Sequence, residues 1–191
     1  MDARLVLASA SPRRAAILRA LGIPFRVALA GVEETLLSGE SGAQAAERLA
    51  RAKAEAVAVA ETLPVLAADT VVLLGEEILG KPRSRADAAR MLHALSGRTH
   101  EVVTGVCLAR EGSLHSGVDR TSVTFSSLDG REIDRYVAGD EPLDKAGAYH
   151  VDGAAAAFIE GISGSPSNVA GLPVRLVLRL AREAGLELLG E

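Results

Sequence analysis

Strand-like and helix-like apolar runs alternate along the whole of this 191-residue chain. Such alternation is typical of α/β proteins, and a chain of this length is expected to form a single domain over residues 1–191. Turn residues at 75–77 and 111–112 predict hairpins over residues 73–80 and 109–117, so the sheet should mix parallel and antiparallel strands. The predicted strands are residues 5–8, 65–74, 101–109, 120–125 and 154–160, and the predicted helices are residues 12–21, 42–61, 86–95, 131–138 and 174–184.

Two of the predicted helices begin with recognisable capping residues. Ser11 precedes Pro12, and proline is favoured at the first helical position. Ser41 and Gln44 have the spacing of a capping box, in which each side chain bonds the other residue's backbone N–H. These signals place the first residues of the helices at 12 and 42.

Two arginines, Arg13 and Arg14, occupy the first turn of the first predicted helix. A helix N-terminus carries partial positive charge and unpaired N–H groups, so cations are disfavoured there unless an anion is bound. A phosphate would meet the backbone donors, the hydroxyls of Ser9 and Ser11, and both guanidinium groups. The segment is therefore a candidate phosphate-binding site; the alternative is that both arginines point into water.

One carboxylate, that of Asp69, interrupts the apolar strand-like run at residues 65–74. Burial of an unpaired charge is costly, so this residue needs a cation, a metal or a dense set of hydrogen-bond donors. Asp69 is the first catalytic candidate, and Thr70 beside it could donate a hydrogen bond to a ligand. The alternative is an aspartate at a β-bulge that caps a neighbouring turn.

Two lysines are candidates for neutralising phosphate charge. Lys53 falls on the apolar face of the second predicted helix, where its ammonium group either reaches a ligand or extends to the surface. Lys81 ends a segment with glycine spacing close to that of a P-loop, but Pro82 stands where a P-loop needs a hydroxyl to bind Mg²⁺. A hairpin explains this segment better, so a P-loop kinase or ATPase is rejected.

Composition and charge restrict the class of partner. A formal net charge of −4 with only three Phe and two Tyr argues against a nucleic-acid surface. The single cysteine, Cys107, lies among apolar residues and is expected to be buried. With no apolar run long enough to span a membrane and no signal-peptide pattern, we expect a cytoplasmic protein that binds a small molecule and no membrane. The apolar last helix fits either the core or a homodimer interface.

A series of short motifs runs in order along nearly the full length of the chain. These motifs are residues 9–14 (SASPRR), 32–34 (VEE), 51–54 (RAKA), 68–72 (ADTVV), 80–82 (GKP), 95–97 (LSG), 102–105 (VVTG), 140–149 (DEPLDKAGAY) and 169–173 (VAGLP). Together they resemble the Maf family of nucleoside triphosphate pyrophosphatases, also called septum-formation-inhibitor proteins. The resemblance implies an α/β fold related to the inosine triphosphate pyrophosphatases, with an elongated mixed sheet flanked by helices and two lobes around a central cleft.

The resemblance also implies a reaction and its residues. A nucleoside triphosphate is cleaved to the monophosphate and pyrophosphate with a divalent metal, Mg²⁺ or Mn²⁺. Asp69 matches the family's proton acceptor, and Glu33 with Asp69 could hold the metal through oxygen; whether Asp69 acts as base, ligand or both stays open. The residues expected to bind the substrate or its phosphates are Ser9, Ser11, Arg13, Arg14, Lys53, Thr70 and Lys81.

Residue 152 is where the chain departs from the pattern that it resembles. Residues 140–149 are similar to the subgroup that prefers dTTP and UTP, but that subgroup commonly carries Gln where this chain has Asp152. An ionised Asp only accepts hydrogen bonds, from the ring N–H of thymine or uracil and equally from the N–H pair of guanine. We expect dTTP and UTP, including modified pyrimidine nucleotides, as substrates; the alternatives are another base, such as a modified guanine, and a non-catalytic regulator of cell division.

Overall fold

The computed structural model describes residues 2–139 and 141–190, so Asp140, with which one of the motifs begins, lies outside the described residues. No helix in these ranges is long and apolar enough to cross a membrane. The elements in chain order are β1 (Leu5–Leu7), α1 (Pro12–Ala20), β2 (Phe25–Val27), α2 (Gly42–Ala58), β3 (Val65–Leu74), β4 (Glu77–Leu79), α3 (Arg85–Leu95), β5 (Thr99–Arg110), β6 (Ser113–Phe125), α4 (Gly130–Val137), β7 (Ile159–Ser163), α5 (Pro166–Val169) and α6 (Val174–Glu183). Short 3-10 helices cover Ala146–Ala148 and Ala154–Phe158.

One seven-stranded sheet runs through the described residues, with the order β2-β1-β3-β5-β6-β7 and with β4 paired to β3. β1 is parallel to β2 and β3, whereas β4 is antiparallel to β3 and β7 is antiparallel to β6. The predicted mixed α/β fold is confirmed.

The helices begin where the capping residues predict. Ser11 is the N-cap of α1, its hydroxyl oxygen accepts from the N–H of Arg14, and Pro12 opens the helix. Ser41 and Gln44 form the reciprocal capping box of α2. Because these side chains satisfy N–H groups that the helix itself leaves unpaired, they define its first turn.

Residues 154–160, predicted as a strand, fold differently. Most of the segment is the 3-10 helix Ala154–Phe158, and β7 begins only at Ile159. The N–H of Ala154 donates to Glu141 and the N–H of Ala156 donates to the carbonyl of Gly153, so these donors do not form a sheet ladder. A short apolar run does not distinguish a strand from a helical turn, and here tertiary contacts decide.

The chain divides into two compact units. The first unit contains the described residues up to Asp69, Thr104–Asp119, and the described residues from Gly171 onwards; the second contains Thr70–Val103 and Arg120–Ala170. Each unit has its own core: Leu5, Leu18, Leu66, Leu172 and Leu180 are buried in the first, and Leu92, Leu95, Phe125, Ile133 and Phe158 in the second.

A cavity of about 550 Å³ lies in the first unit. It is lined by Val118 and Asp119 of β6 and by α6 side chains that include Arg175, Arg179 and Arg182. None of the residues expected to bind substrate or metal lines it.

Candidate active site

The segment that leads into α1 is organised by Arg14. Its Nε donates to the carbonyl oxygen of Gly171 at 2.8 Å, and its Nη1 donates to Ser9 Oγ at 3.0 Å. Ser9 Oγ also accepts from the backbone N–H of Ser11 at 3.2 Å. The guanidinium group therefore holds the serine-rich turn in place instead of extending into water.

The charge of Arg14 acts on its surroundings as well. Burial lowers the pKa of Arg14, the negative charge of Asp69 raises it, and the half-buried Arg13 lowers it. A partly buried guanidinium group beside a second arginine attracts anions, because water screens the two positive charges incompletely. Ser9, Ser11, Arg13 and Arg14 thus form one basic, hydroxyl-bearing group at the start of α1.

A second group joins α2, β3 and the loop after β2. Lys53 Nζ lies 2.6 Å from Asp69 Oδ1 and 2.5 Å from Glu34 Oε1. Lys53 and Asp69 are only 7% and 8% exposed, whereas Glu34 is exposed. The buried carboxylate in β3 is therefore matched by a buried cation, as its apolar strand requires.

Burial raises the pKa of Asp69 above its ordinary value. The charge and hydrogen bond of Lys53 and the charge of Arg14 act in the opposite direction, and the charge of Glu34 adds to the rise. A raised pKa makes this carboxylate a better proton acceptor than an exposed aspartate once it is ionised.

The acidic loop is anchored by Arg48, a residue that the sequence did not single out. Its Nε and Nη2 donate to the two carboxylate oxygens of Glu40 at 2.9 and 2.6 Å, and Nη2 also donates to the carbonyl oxygen of Thr35 at 3.0 Å. Glu33, two residues before Thr35, is exposed, and its carboxylate accepts a hydrogen bond from the Thr35 hydroxyl at 2.7 Å. The partners of Arg48 lie outside its own helix, so no helical spacing in the sequence reveals this anchor.

Three further residues predicted from the sequence belong to the second unit. Thr70 follows Asp69 in β3 and is half-buried, while Lys81, just after β4, is exposed. Asp152 is exposed in a turn that the N–H of Gly153 closes on the carbonyl of His150 at 3.1 Å.

The ligands available for a metal are carboxylate oxygens. Asp69 and Glu34 meet on one ammonium group, and Glu33 is the next residue of the same loop. Among the residues that the structure describes, no cluster of three or more Asp, Glu, His or Cys side chains could hold a metal. Mg²⁺ is commonly held by one or two carboxylates while substrate phosphates and water complete its shell, so this acidic set fits a metal that binds together with a nucleotide.

Comparisons of this chain with a family model and with curated relatives agree on one family. The family model described as Maf-like protein matches residues 4–184. A dTTP/UTP pyrophosphatase of Anaeromyxobacter dehalogenans (strain 2CP-C) is 50% identical over 192 residues, which cover 98% of this chain and 97% of the relative. A dTTP/UTP pyrophosphatase of Myxococcus xanthus (strain DK1622) is 50% identical over 187 residues, which cover 96% and 94%. Among solved structures, the Staphylococcus aureus Ham1 protein matches with a TM-score of 0.48 and 18% identity over 95% of this chain and 98% of that one.

Proposed function

Because this chain belongs to the family of Maf-like proteins, we propose that it is a nucleoside triphosphate pyrophosphatase that hydrolyses dTTP and UTP. The products are the nucleoside monophosphate and pyrophosphate. The observation that carries the proposal is the buried Asp69 carboxylate paired with Lys53, in a chain half identical over nearly its full length to relatives of that activity.

The reaction needs a proton acceptor and a stabilised leaving group. The oxygen of a water molecule forms a bond to the α-phosphorus, and the bond from that phosphorus to the oxygen bridging the α- and β-phosphates breaks. Pyrophosphate leaves with the bridging oxygen, and the proton that the water loses passes to the Asp69 carboxylate. The raised pKa of Asp69 favours this transfer.

Positive side chains stabilise the negative charge that develops on the phosphates. We assign this role to Arg13, Arg14, Lys53 and Lys81, with hydrogen bonds from Ser9, Ser11 and Thr70. The contacts of Arg14 to Ser9 and Gly171 support the assignment, because they fix the donors of this turn before a substrate arrives.

We assign the metal ligands to Glu33 and Asp69, with Glu34 beside them. A bound Mg²⁺ or Mn²⁺ supplies positive charge to the phosphate oxygens. Arg48 and Glu40 hold the loop that carries the two glutamates.

We assign base selection to Asp152. Its carboxylate accepts a hydrogen bond from the ring N–H of thymine or uracil, which cytosine lacks, so CTP should be a poor substrate. Asp152→Gln should retain or improve hydrolysis of dTTP and UTP, because an amide offers both a donor and an acceptor to the same edge.

Product analysis tests the proposed function. The protein is incubated with dTTP, UTP, CTP or GTP and with Mg²⁺, Mn²⁺ or Co²⁺, and monophosphate plus pyrophosphate are resolved from diphosphate plus phosphate. We expect the first pair of products, formed fastest from dTTP and UTP.

Asp69→Asn gives the matched loss of function. We expect kcat to fall at least about a hundredfold in a variant that stays folded but is less stable, because the buried Lys53 loses a charged partner; Asp134→Asn, the same change on the exposed face of α4, should keep wild-type activity. Diphosphate as the product, or an active Asp69→Asn variant, would contradict the proposal.

A further inference from the structure

A side-chain pair outside the proposed mechanism holds the turn that carries Asp152. Tyr136 of α4 donates its hydroxyl hydrogen to Glu141 Oε1 at 2.9 Å. The same hydroxyl oxygen accepts from the backbone N–H of His150 at 3.2 Å, and Glu141 Oε2 accepts from the backbone N–H of Ala154 at 3.2 Å. The pair is therefore hydrogen-bonded to the backbone on both sides of Asp152.

The pair is attached to the core of the second unit. Tyr136 is 7% exposed, and its ring packs edge-to-face on Phe158 with a centroid distance of 5.2 Å. Phe158 is itself buried. Because the turn is hydrogen-bonded to Tyr136, which packs in the core, its backbone is held in place although Asp152 itself is exposed.

Gly153 allows the carboxylate to approach the turn. A Cβ at this position would lie 2.4 Å from Glu141 Oε1, closer than any real contact. Any other residue would push the Glu141 carboxylate away from this turn, whereas the φ of −107° does not by itself require glycine.

Glu141 has the charge state that the two contacts need. Although burial raises its pKa, the N–H of Ala154, the Tyr136 hydroxyl and the N–H of Ala155 bring the pKa below its ordinary value, and the charge of His150 acts in the same direction. An ionised carboxylate accepts at both oxygens, whereas an amide accepts at only one.

We propose that Glu141 and Tyr136 are positioning residues for base selection, which fix the turn that presents Asp152 to the nucleotide base. The inference rests on the proposed function, in which Asp152 recognises the base, and adds that Glu141 and Tyr136 hold Asp152 in position. An acceptor can discriminate between bases only if its oxygens are held in one place, because a hydrogen bond weakens steeply with misalignment. Loosening the turn should therefore erode base selection and leave hydrolysis at the α-phosphate intact.

The test is the ratio of kcat/KM for dTTP to that for CTP, measured for the wild type, Glu141→Gln and Tyr136→Phe. We expect each variant to lower the ratio by about tenfold, mainly through KM for dTTP, with kcat for dTTP within about twofold of wild type. Asp134→Asn removes a carboxylate charge from the exposed face of α4 and should keep the wild-type ratio.

Coupling separates positioning from a merely structural role. Once Asp152→Ala has removed the acceptor, adding Glu141→Gln should change the ratio no further. In the protein that keeps Asp152, Glu141→Asp should give a ratio below that of the wild type, because the shorter side chain cannot reach both the Tyr136 hydroxyl and the N–H of Ala154. Additive effects of Glu141→Gln and Asp152→Ala, or an unchanged ratio in Glu141→Gln and Tyr136→Phe, would overturn the inference while the proposed function stands. A wild-type protein that cleaves no nucleotide would overturn the proposed function and the inference with it.

Discussion

Lys53 and Asp69 compensate each other's buried charge. The Asp69 carboxylate is buried in β3, and burial raises its pKa. The strongest opposing effect is the charge of the Lys53 ammonium group, 2.6 Å away. Removing one partner would leave the other charge buried with less compensation, which is costlier than the pair itself is favourable. The Lys53–Asp69 ion pair should therefore affect both catalysis and stability.

The pH dependence of the reaction should report this contact. Asp69 must be ionised to accept a proton, so kcat/KM should fall as the pH drops through its pKa. Lys53 lowers that pKa, so Lys53→Met should raise it and move the acidic limb of the kcat/KM profile to higher pH. Lys53→Arg keeps the charge and should keep the limb near its wild-type position. A limb that does not move in Lys53→Met would show that another group controls it.

That Asp69 needs a compensating partner could be predicted from sequence, because it is a lone carboxylate in an apolar strand. That Lys53 supplies the charge could not, since the position of Lys53 on an apolar helix face indicates equally a ligand or the surface. The part of Glu34 in the cluster and the anchoring role of Arg48 could not. Both depend on how the loop after β2 folds back on α2, through contacts such as Arg48 to the carbonyl of Thr35. Neither helical nor strand periodicity encodes such contacts.

Among the elements, β5 and α2 lie close together at Gly105. A Cβ there would lie 2.3 Å from the carbonyl carbon and oxygen of Ala46, which are backbone atoms of α2. The helix would have to shift, because no flexible side chain is present to yield.

Gly105→Ala should therefore lower the free energy of unfolding by at least about 1–3 kcal/mol, and it should also reduce turnover because α2 carries Lys53. Urea unfolding with an assay on the folded protein measures both. Gly161→Ala in β7 is the matched control, since a Cβ there meets nothing within 4 Å. Equal stability of the two variants would contradict the close approach.

The turn between β5 and β6 is strained at one residue. Glu111 has a φ of +51° and Gly112 a φ of +79°, the two positive angles of a type I′ turn. Asparagine tolerates the first position better than glutamate, and the exposed Arg110–Glu111 ion pair contributes little.

Glu111→Asn should raise the free energy of unfolding by about 0.5–1 kcal/mol and leave kcat unchanged. Thermal unfolding with a kinetic control checks the prediction, and Gly112→Ala should have the opposite effect on stability. A destabilised Glu111→Asn variant would mean that the turn does not have this conformation.

The elements that the sequence predicted best are those with local signals. The helices α1 and α2 start at their capping residues, and β3 matches its apolar run from Val65 to Leu74. Three-residue β2 was missed because its pairing with β1, and not its own sequence pattern, makes it a strand. Likewise, the contact of Ala154 with Glu141 turned a predicted strand into a 3-10 helix.

At the scale of the whole molecule, the boundary between the two units falls inside β3, β5 and β6. β3 and β5 contribute buried residues to both cores, and each unit is built from separate segments of the chain, so neither unit is a continuous segment that could be excised. We propose that the chain is a single folding domain, as its length suggests.

Core truncation in either unit should then give the same kind of result. Leu18→Ala in the first unit and Leu92→Ala in the second should each lower the free energy of unfolding by about 2–5 kcal/mol, within one cooperative transition. Calorimetry measures the transition, and both side chains are fully buried. Two separate transitions in either variant would mean that the units unfold independently.

If water attacks the α-phosphorus of the nucleotide, the oxygen of that water remains in the nucleoside monophosphate. Hydrolysis of dTTP in ¹⁸O-labelled water, followed by mass spectrometry of both products, locates the bond that forms. We expect one ¹⁸O atom in dTMP and none in pyrophosphate. Label in the pyrophosphate would place the attack on the β-phosphorus and contradict the mechanism proposed for Asp69.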